Sequence, residues 1–224
     1  KTMKFTAVAT YESPSRYGAP LAYMTTSEVT LQRPDKLKVV TSADGPAVEF
    51  HYDGKNMTAY APTEKLIASA GAPPTIDAML EAVYDTAGTY FPYTDLIVAN
   101  PYADMAKGMK LAFYIGQSNV VDGTLTDMVA YETDGVFVQL WVGTEDKLPR
   151  MARAVYFDDA LRLRHQVELS GWKVDTGVKA SNFEHEFASD ATAVAFVHPK
   201  LRQPPAATAP KGPAPAVAPA PKAP

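Results

Sequence analysis

The chain has 224 residues, no cysteine, and a net charge of −4 from 25 Asp and Glu against 21 Lys and Arg. Those numbers exclude disulfides, thiolate metal sites and a cysteine nucleophile, and they leave no basic footprint for nucleic acid. With 46% hydrophobic and 21% charged residues the composition is that of an ordinary globular protein, and no apolar run approaches the roughly 18 residues that span a bilayer.

Residues 3–10 and 21–32 are predicted as the first two strands. Phe5, Ala7 and Ala9 alternate with Lys4, Thr6 and Val8, the period of two that puts one set on each face of a strand. The stretch from Ser13-Pro14 to Pro20 carries the turn. Strands follow at 36–42, 47–52 and 56–61. Leu37, Val39 and Thr41 share a face, as do Val48, Phe50 and Tyr52. Asp44-Gly45 and Asp53-Gly54 join these strands; Asp-Gly marks a tight hairpin because a type I′ turn needs positive φ at both central residues. A further strand is expected at 64–69, before Pro73-Pro74.

The period changes over 75–108. Ile76, Met79, Leu80, Val83, Tyr84 and Ala87 fall on one stripe of a helix. Thr75 is a good N-cap, Asp77 sits favourably in the first turn, and Gly88 can stop the helix. A shorter helix is marked by Asn100 as cap, Pro101 at the first position and Gly108 at the end.

Strands resume at 110–117, 125–132, 136–143, 151–158 and 161–169, with Asp122-Gly123 and Asp134-Gly135 as turns. The clearest alternation sets Leu161, Leu163, His165, Val167 and Leu169 against Arg162, Arg164, Gln166 and Glu168. Ser170-Gly171 reads as a turn, and the sheet ends in strands near 172–176 and 193–197. The expected fold is therefore mainly β (α+β): an unclosed antiparallel β-barrel or half-barrel with a short α-helical lid. This domain is placed at 1–200, with the lid insert at about 75–108. Eight of the 19 prolines fall in 203–224, and the Pro/Ala-rich segment 201–224 lacks the apolar bulk to offset its ordering entropy, so it is expected to be a disordered tail. A chain beginning at Lys1 is read as processed or trimmed, with any signal peptide out of view.

Candidate catalytic chemistry is sparse. His165, between Leu163 and Val167 on an apolar face, is a polar tether in a ligand cavity, a pH-sensitive group, or a histidine bonded in the core. Glu184, His185 and Glu186 cannot converge on a metal from one strand, because His185 points away from both glutamates. Glu49, His51 and Asp53 could share a face, but Asp53 belongs to a turn and no metal-ligand spacing supports the group. Nucleophile elbow and Gly-rich phosphate loops are both missing. No catalytic residue, metal or cofactor is expected.

The block from Arg33 to Tyr60 reads Arg-Pro-Asp-Lys-Leu-Lys-Val-Val, then Val-Glu-Phe-His-Tyr-Asp-Gly-Lys-Asn-Met-Thr-Ala-Tyr, ending on Ala61-Pro62. Further on stand Pro74-Thr75-Ile76-Asp77, Asp95-Leu96-Ile97, Asn100-Pro101-Tyr102, Val121-Asp122-Gly123, Gln139-Leu140-Trp141-Val142 and Leu148-Pro149-Arg150, with Phe183 to Phe187 and Ala193 to Phe196 near the end. In order and spacing this set resembles the DUF2092 predicted periplasmic proteins. It is similar, more distantly, to the lipoprotein-localisation carriers and the sigma-E regulator that share their fold. The resemblance covers roughly 20–197. Thr126 and Met128 stand where family members often carry a Cys-x-His pair, and the family's long N-terminal helix is missing.

The resemblance implies a periplasmic, non-catalytic carrier that holds a lipid or a lipoprotein acyl chain in a hydrophobic cavity beneath the lid. Val39, Phe50, Met57, Met79, Val83, Phe113, Leu140, Leu163 and His165 are the expected cavity liners, flexible thioethers suiting a cavity that adapts to greasy ligands. The protein is expected as a monomer with peripheral membrane contact. The alternative is an envelope sensor that binds a membrane-protein partner through the same open barrel. A hydrolase or metal enzyme using His165 is the third rival.

Overall fold

The computed structural model describes residues 1–43 and 45–197; Asp44 of the first Asp-Gly pair and the segment expected as a tail, 201–224, lie outside the described residues. Two long strands, β1 (Thr2–Pro14) and β2 (Pro20–Gln32), pair antiparallel over their whole length. β3 (Lys36–Ser42), β4 (Val48–Tyr52), β5 (Asn56–Ala61) and β6 (Leu66–Gly71) continue the meander. Then come the helices α1 (Ile76–Ala87), α2 (Thr94–Ile97) and α3 (Pro101–Ala106). A second meander follows: β7 (Met109–Ser118), β8 (Thr126–Thr133), β9 (Val136–Gly143), β10 (Pro149–Tyr156) and β11 (Arg164–Val174). A 3-10 turn at Ala180–Phe183 leads to the two-residue β12 (Thr192–Ala193).

The described strands form one sheet in the order β12-β6-β5-β4-β3-β2-β1-β11-β10-β9-β8-β7. The two meanders meet where β1 pairs antiparallel with β11. The ends do not pair with each other, so the sheet is an unclosed half-barrel with a short helical part on its inner side. Only β12 runs parallel, against Leu66 and Ile67 of β6.

Local sequence explains most of this. Asp122 and Gly123, and Asp134 and Gly135, all take positive φ (51°, 63°, 36° and 80°), the signature of type I′ chemistry. Asp53-Gly54 differs from the expectation. Only Gly54 has positive φ, because the Asp53 carboxylate itself accepts from Lys55 N and Asn56 N at 2.9 and 2.7 Å and closes a wider loop. The Thr75 hydroxyl accepts from Ala78 N, and Gly88 ends α1 in the left-handed region, as its sequence predicts.

Two boundaries moved for a physical reason. Arg162 has φ +50°, so the alternation around 161–163 is turn and the strand begins at Arg164. The expected break at Ser170-Gly171 is a bulge inside one strand. Lys4 pairs with Lys173 and Thr6 with Ser170, leaving an extra residue on β11, and Gly171 takes φ +64°. The extra residue inverts the alternation, so Trp172 faces inward.

The inner face is apolar. Phe5, Val29, Leu31, Met79, Val83 and Ile97 are fully buried, and Leu37, Val39, Phe50, Tyr52 and Met57 join them. Apolar Ile76, Met79, Leu80 and Val83 all face this core. The sheet beneath α1 is therefore packed.

Candidate functional site

Past Gly88 the chain crosses the second half of the sheet as an irregular cover, residues 89–107, containing α2 and α3. It is tied at one end to the β2–β3 corner: Arg33 donates to Leu96 O at 2.9 Å and Ile97 O at 3.4 Å. Asp77 of α1 accepts from Ala99 N at 2.9 Å, and Asn100 caps α3 by accepting from Ala103 N at 3.2 Å. At the other end Thr133 of β8 donates its hydroxyl to Lys107 O at 2.7 Å. Tyr93 and Ile97 anchor the middle in the core.

Between these anchors the cover stands clear of β8–β11 and leaves a hollow of about 390 Å³. Its wall comes from the inner positions of β9, β10 and β11: Val136, Val138 and Leu140, Ala152 and Ala154, then Val167. The small side chains of Ala152 and Ala154 are what leave the space, since a cover lying over larger residues would touch them. The tyrosines Tyr90, Tyr131 and Tyr156 ring it, and Asp95, Asp104 and Lys107 reach it from the cover.

His165 sits at the junction of this hollow and two shallower ones beside it. Its Nδ1 lies 3.2 Å from the Tyr156 hydroxyl, with the rings 5.2 Å apart. Tyr11 and Tyr90 flank it at 6.1 and 6.5 Å. Burial lowers the His165 pKa, and Glu12 opposes that shift. The imidazole is thus an aromatic tether bonded to a phenol, and among the described residues no carboxylate is hydrogen-bonded to it.

Asp95 is unusual. It is an exposed residue that is also part of the lining of the hollow. Loss of bulk water raises its pKa first, and the charge of Asp104 raises it further. Tyr131 is pushed up to about 12 by burial, then by Asp95 and Asp104; Tyr90 is raised by burial and by Asp95. Among the described residues no cation lies within 4 Å of either Asp95 or Asp104.

The nine expected liners divide. Leu140 and His165 line the hollow, and Leu163 joins His165 in the shallow depression next to it. Val39, Phe50, Met57, Met79 and Val83 lie together in the buried core beneath α1 rather than around the hollow. The reason is that the α1 stripe inserts fully and Phe91 packs on Phe50 with ring centroids 5.3 Å apart. Phe113 is 45% exposed on β7, away from the hollow. Asp95 stood out in the sequence only within the motif Asp95-Leu96-Ile97 and Asp134 only as a turn residue; the tyrosines and Asp104 were not singled out. The available signal was the aromatic run Tyr90, Phe91 and Tyr93 between the two helices, which has no helical or strand period.

A second histidine cluster lies on the outer face. His51 of β4 is buried, with Nε2 bonded to Glu49 at 2.8 Å and Nδ1 without a partner. His185 and Phe187 from the C-terminal strap cover it, with ring centroids 4.3 and 5.4 Å away. Among the described residues no group of three or more His, Cys, Asp or Glu could hold a metal ion, and no helix is long and apolar enough to cross a membrane.

Residues 1–197 match the family model described as "Predicted periplasmic protein (DUF2092)". No curated protein matches the chain. Several solved structures are similar to the chain at low identity. An uncharacterized conserved protein from Thermus thermophilus is 12% identical, with a TM-score of 0.47, covering 86% of this chain and 90% of that one. The MucA/MucB complex of Pseudomonas aeruginosa is 12% identical, TM-score 0.44, covering 82% of this chain and 56% of that one. A LolA superfamily protein from Nitrosomonas europaea is 10% identical, TM-score 0.35, covering 81% of this chain and 90% of that one.

Proposed function

The chain belongs to the DUF2092 family of predicted periplasmic proteins, and from that premise we propose that it is a non-catalytic binding protein whose hollow takes up an apolar group, the acyl chain of a lipid or lipoprotein. The observation that carries this reading is the contrast between the two halves of the sheet. Beneath α1 the core is full, whereas beneath the 89–107 cover a wall of Val, Leu and Ala faces about 390 Å³ of open space. Each methylene buried there would contribute about 0.8 kcal/mol. The mobile element in this reading is the α3 end of the cover rather than α1, because α3 buries no side chain while α1 buries four. Lipid mass spectrometry of the protein recovered from its native envelope, with binding of an uncharged fluorescent apolar probe, tests it. Retained lipid, lost on substitution of Ala154→Phe, supports the reading; a consistently empty hollow that binds no probe overturns it.

A second reading rests on β7. It is the free edge of the twelve-stranded sheet, ten residues long, and Leu111, Phe113, Tyr114 and Ile115 on it are exposed. Such an edge is a template for an added strand, so an envelope protein partner could dock there. A purified stoichiometric complex that Phe113→Lys dissolves, with the hollow's ligand unaffected, would favour this reading over the carrier.

A further inference from the structure

The hollow has two chemically different sides. Its wall is aliphatic, from Val138, Leu140, Ala152 and Ala154, and its cover is acidic, from Asp95 and Asp104. Counting Asp134, three carboxylates line the space against the single ammonium of Lys107, and no ion pair among the described residues neutralises any of the three. The ring of Tyr90, Tyr131 and Tyr156 stands between the two sides. Tyrosine faces attract a cation positioned over them, and the excess of carboxylates facing the same space attracts it further.

Resting on the reading that the hollow binds an apolar chain, we propose that its ligand is an alkylammonium amphiphile, with the tail along β9–β10 and the amine beneath Asp95 and Asp104 among the tyrosines. Two further observations fit. Asp95 and Asp104 are close enough to raise the Asp95 pKa by repulsion, a cost that a bound cation removes. An acyl carboxylate would meet the same pair as a third negative charge and would be rejected.

The test compares ligands of one tail length by calorimetry below their micelle concentrations: dodecyltrimethylammonium, dodecyl maltoside and dodecanoate, with butylamine as a tail-less amine. The expected order is the ammonium tightest, the neutral maltoside about tenfold weaker, and dodecanoate and butylamine weaker again. Asp95→Asn and Asp104→Asn together bring the ammonium affinity down to that of the maltoside. Dodecanoate binding as tightly as the ammonium overturns the proposal but leaves the apolar-chain reading standing. Equal ammonium affinity in the double variant also overturns it, and butylamine matching dodecyltrimethylammonium shows a tail-independent cation site, which overturns it too. If none of the four binds, both readings fall.

Discussion

Phe5 and Trp172 stack with ring centroids 4.5 Å apart and planes 29° apart, at the seam where β1 joins the two meanders through β11. Tyr93 meets the other side of Phe5 edge-on at 5.6 Å, so one fully buried ring links both halves of the sheet to the cover. The Trp172 indole also donates to Pro149 O at 3.0 Å and fixes the start of β10. Phe5→Ala should cost about 3–5 kcal/mol. Trp172→Phe keeps a stacked ring but loses the hydrogen bond and should cost about 1 kcal/mol from that loss. Urea melts of the two variants check the ranking; a Phe5→Ala loss smaller than that of Trp172→Phe would mean the seam is held elsewhere.

How far the sequence could be read follows from what is local. The stripe from Ile76 to Val83 with Thr75 and Gly88 at its ends defines α1 to the residue, because caps and periodicity are written in neighbouring positions. Trp172 could not be placed, since the bulge at Gly171 that turns it inward depends on a partner strand some 165 positions away. Of the residues lining the hollow, Leu140 and His165 were among the expected liners. Whether an apolar inward residue meets packing or open space depends on the height of a cover that pattern does not encode: Val39 and Leu140 have the same alternation and opposite surroundings. The position of Asp95 over the hollow was hidden for the same reason, as the motif Asp95-Leu96-Ile97 says nothing of what lies beneath it.

Asp95 should make stability pH-dependent. Its folded pKa is raised above the ordinary value near 3.9, so the folded state holds a proton more tightly than the unfolded chain does. Its contribution is fully present below about pH 4 and is lost as pH rises through the raised value. Asp95→Asn, which cannot ionise, should therefore raise the Tm at pH 7, with the gain over the parent shrinking toward zero near pH 4. A lower Tm at pH 7 would show that the carboxylate has a partner in the folded protein.

The strap should loosen in acid. Burial lowers the His51 pKa most; the bond to Glu49 opposes that, while His185 and Lys38 add to the lowering. The ring already uses Nε2 on Glu49, so protonation would place an N–H at Nδ1 where it has no acceptor. The stability held by neutral His51 is present above its unfolded value of about 6.5 and is lost as pH falls through the lowered folded value. Thr192 N and Val194 N donate to Lys65 O and Ile67 O at 2.7 and 2.8 Å where the strap docks on β6. Hydrogen exchange at these two amides, corrected for its intrinsic pH dependence, should lose protection below about pH 6. In His51→Gln the protection should no longer vary with pH over this range; variation that persists would assign the switch to His185 instead.

The division of the half-barrel into a full side and an open side predicts opposite responses to added volume. Val83 on α1 is fully buried among Val39, Phe50 and Phe91 in the core, so Val83→Phe must force its neighbours off their rotamers and should cost about 1–3 kcal/mol. Ala154 on β10 is only half-buried, because the hollow stands in front of it. A ring placed there gains apolar contact with Val138, Tyr156 and the cover without displacing them. Ala154→Phe should therefore leave the Tm unchanged or raise it, while excluding any tail from the hollow. Thermal melts of both variants beside a titration with an uncharged fluorescent apolar probe separate the two effects. If Ala154→Phe were as destabilising as Val83→Phe, the space under the cover would already be filled in solution, and no ligand could be accommodated there without moving residues 89–107.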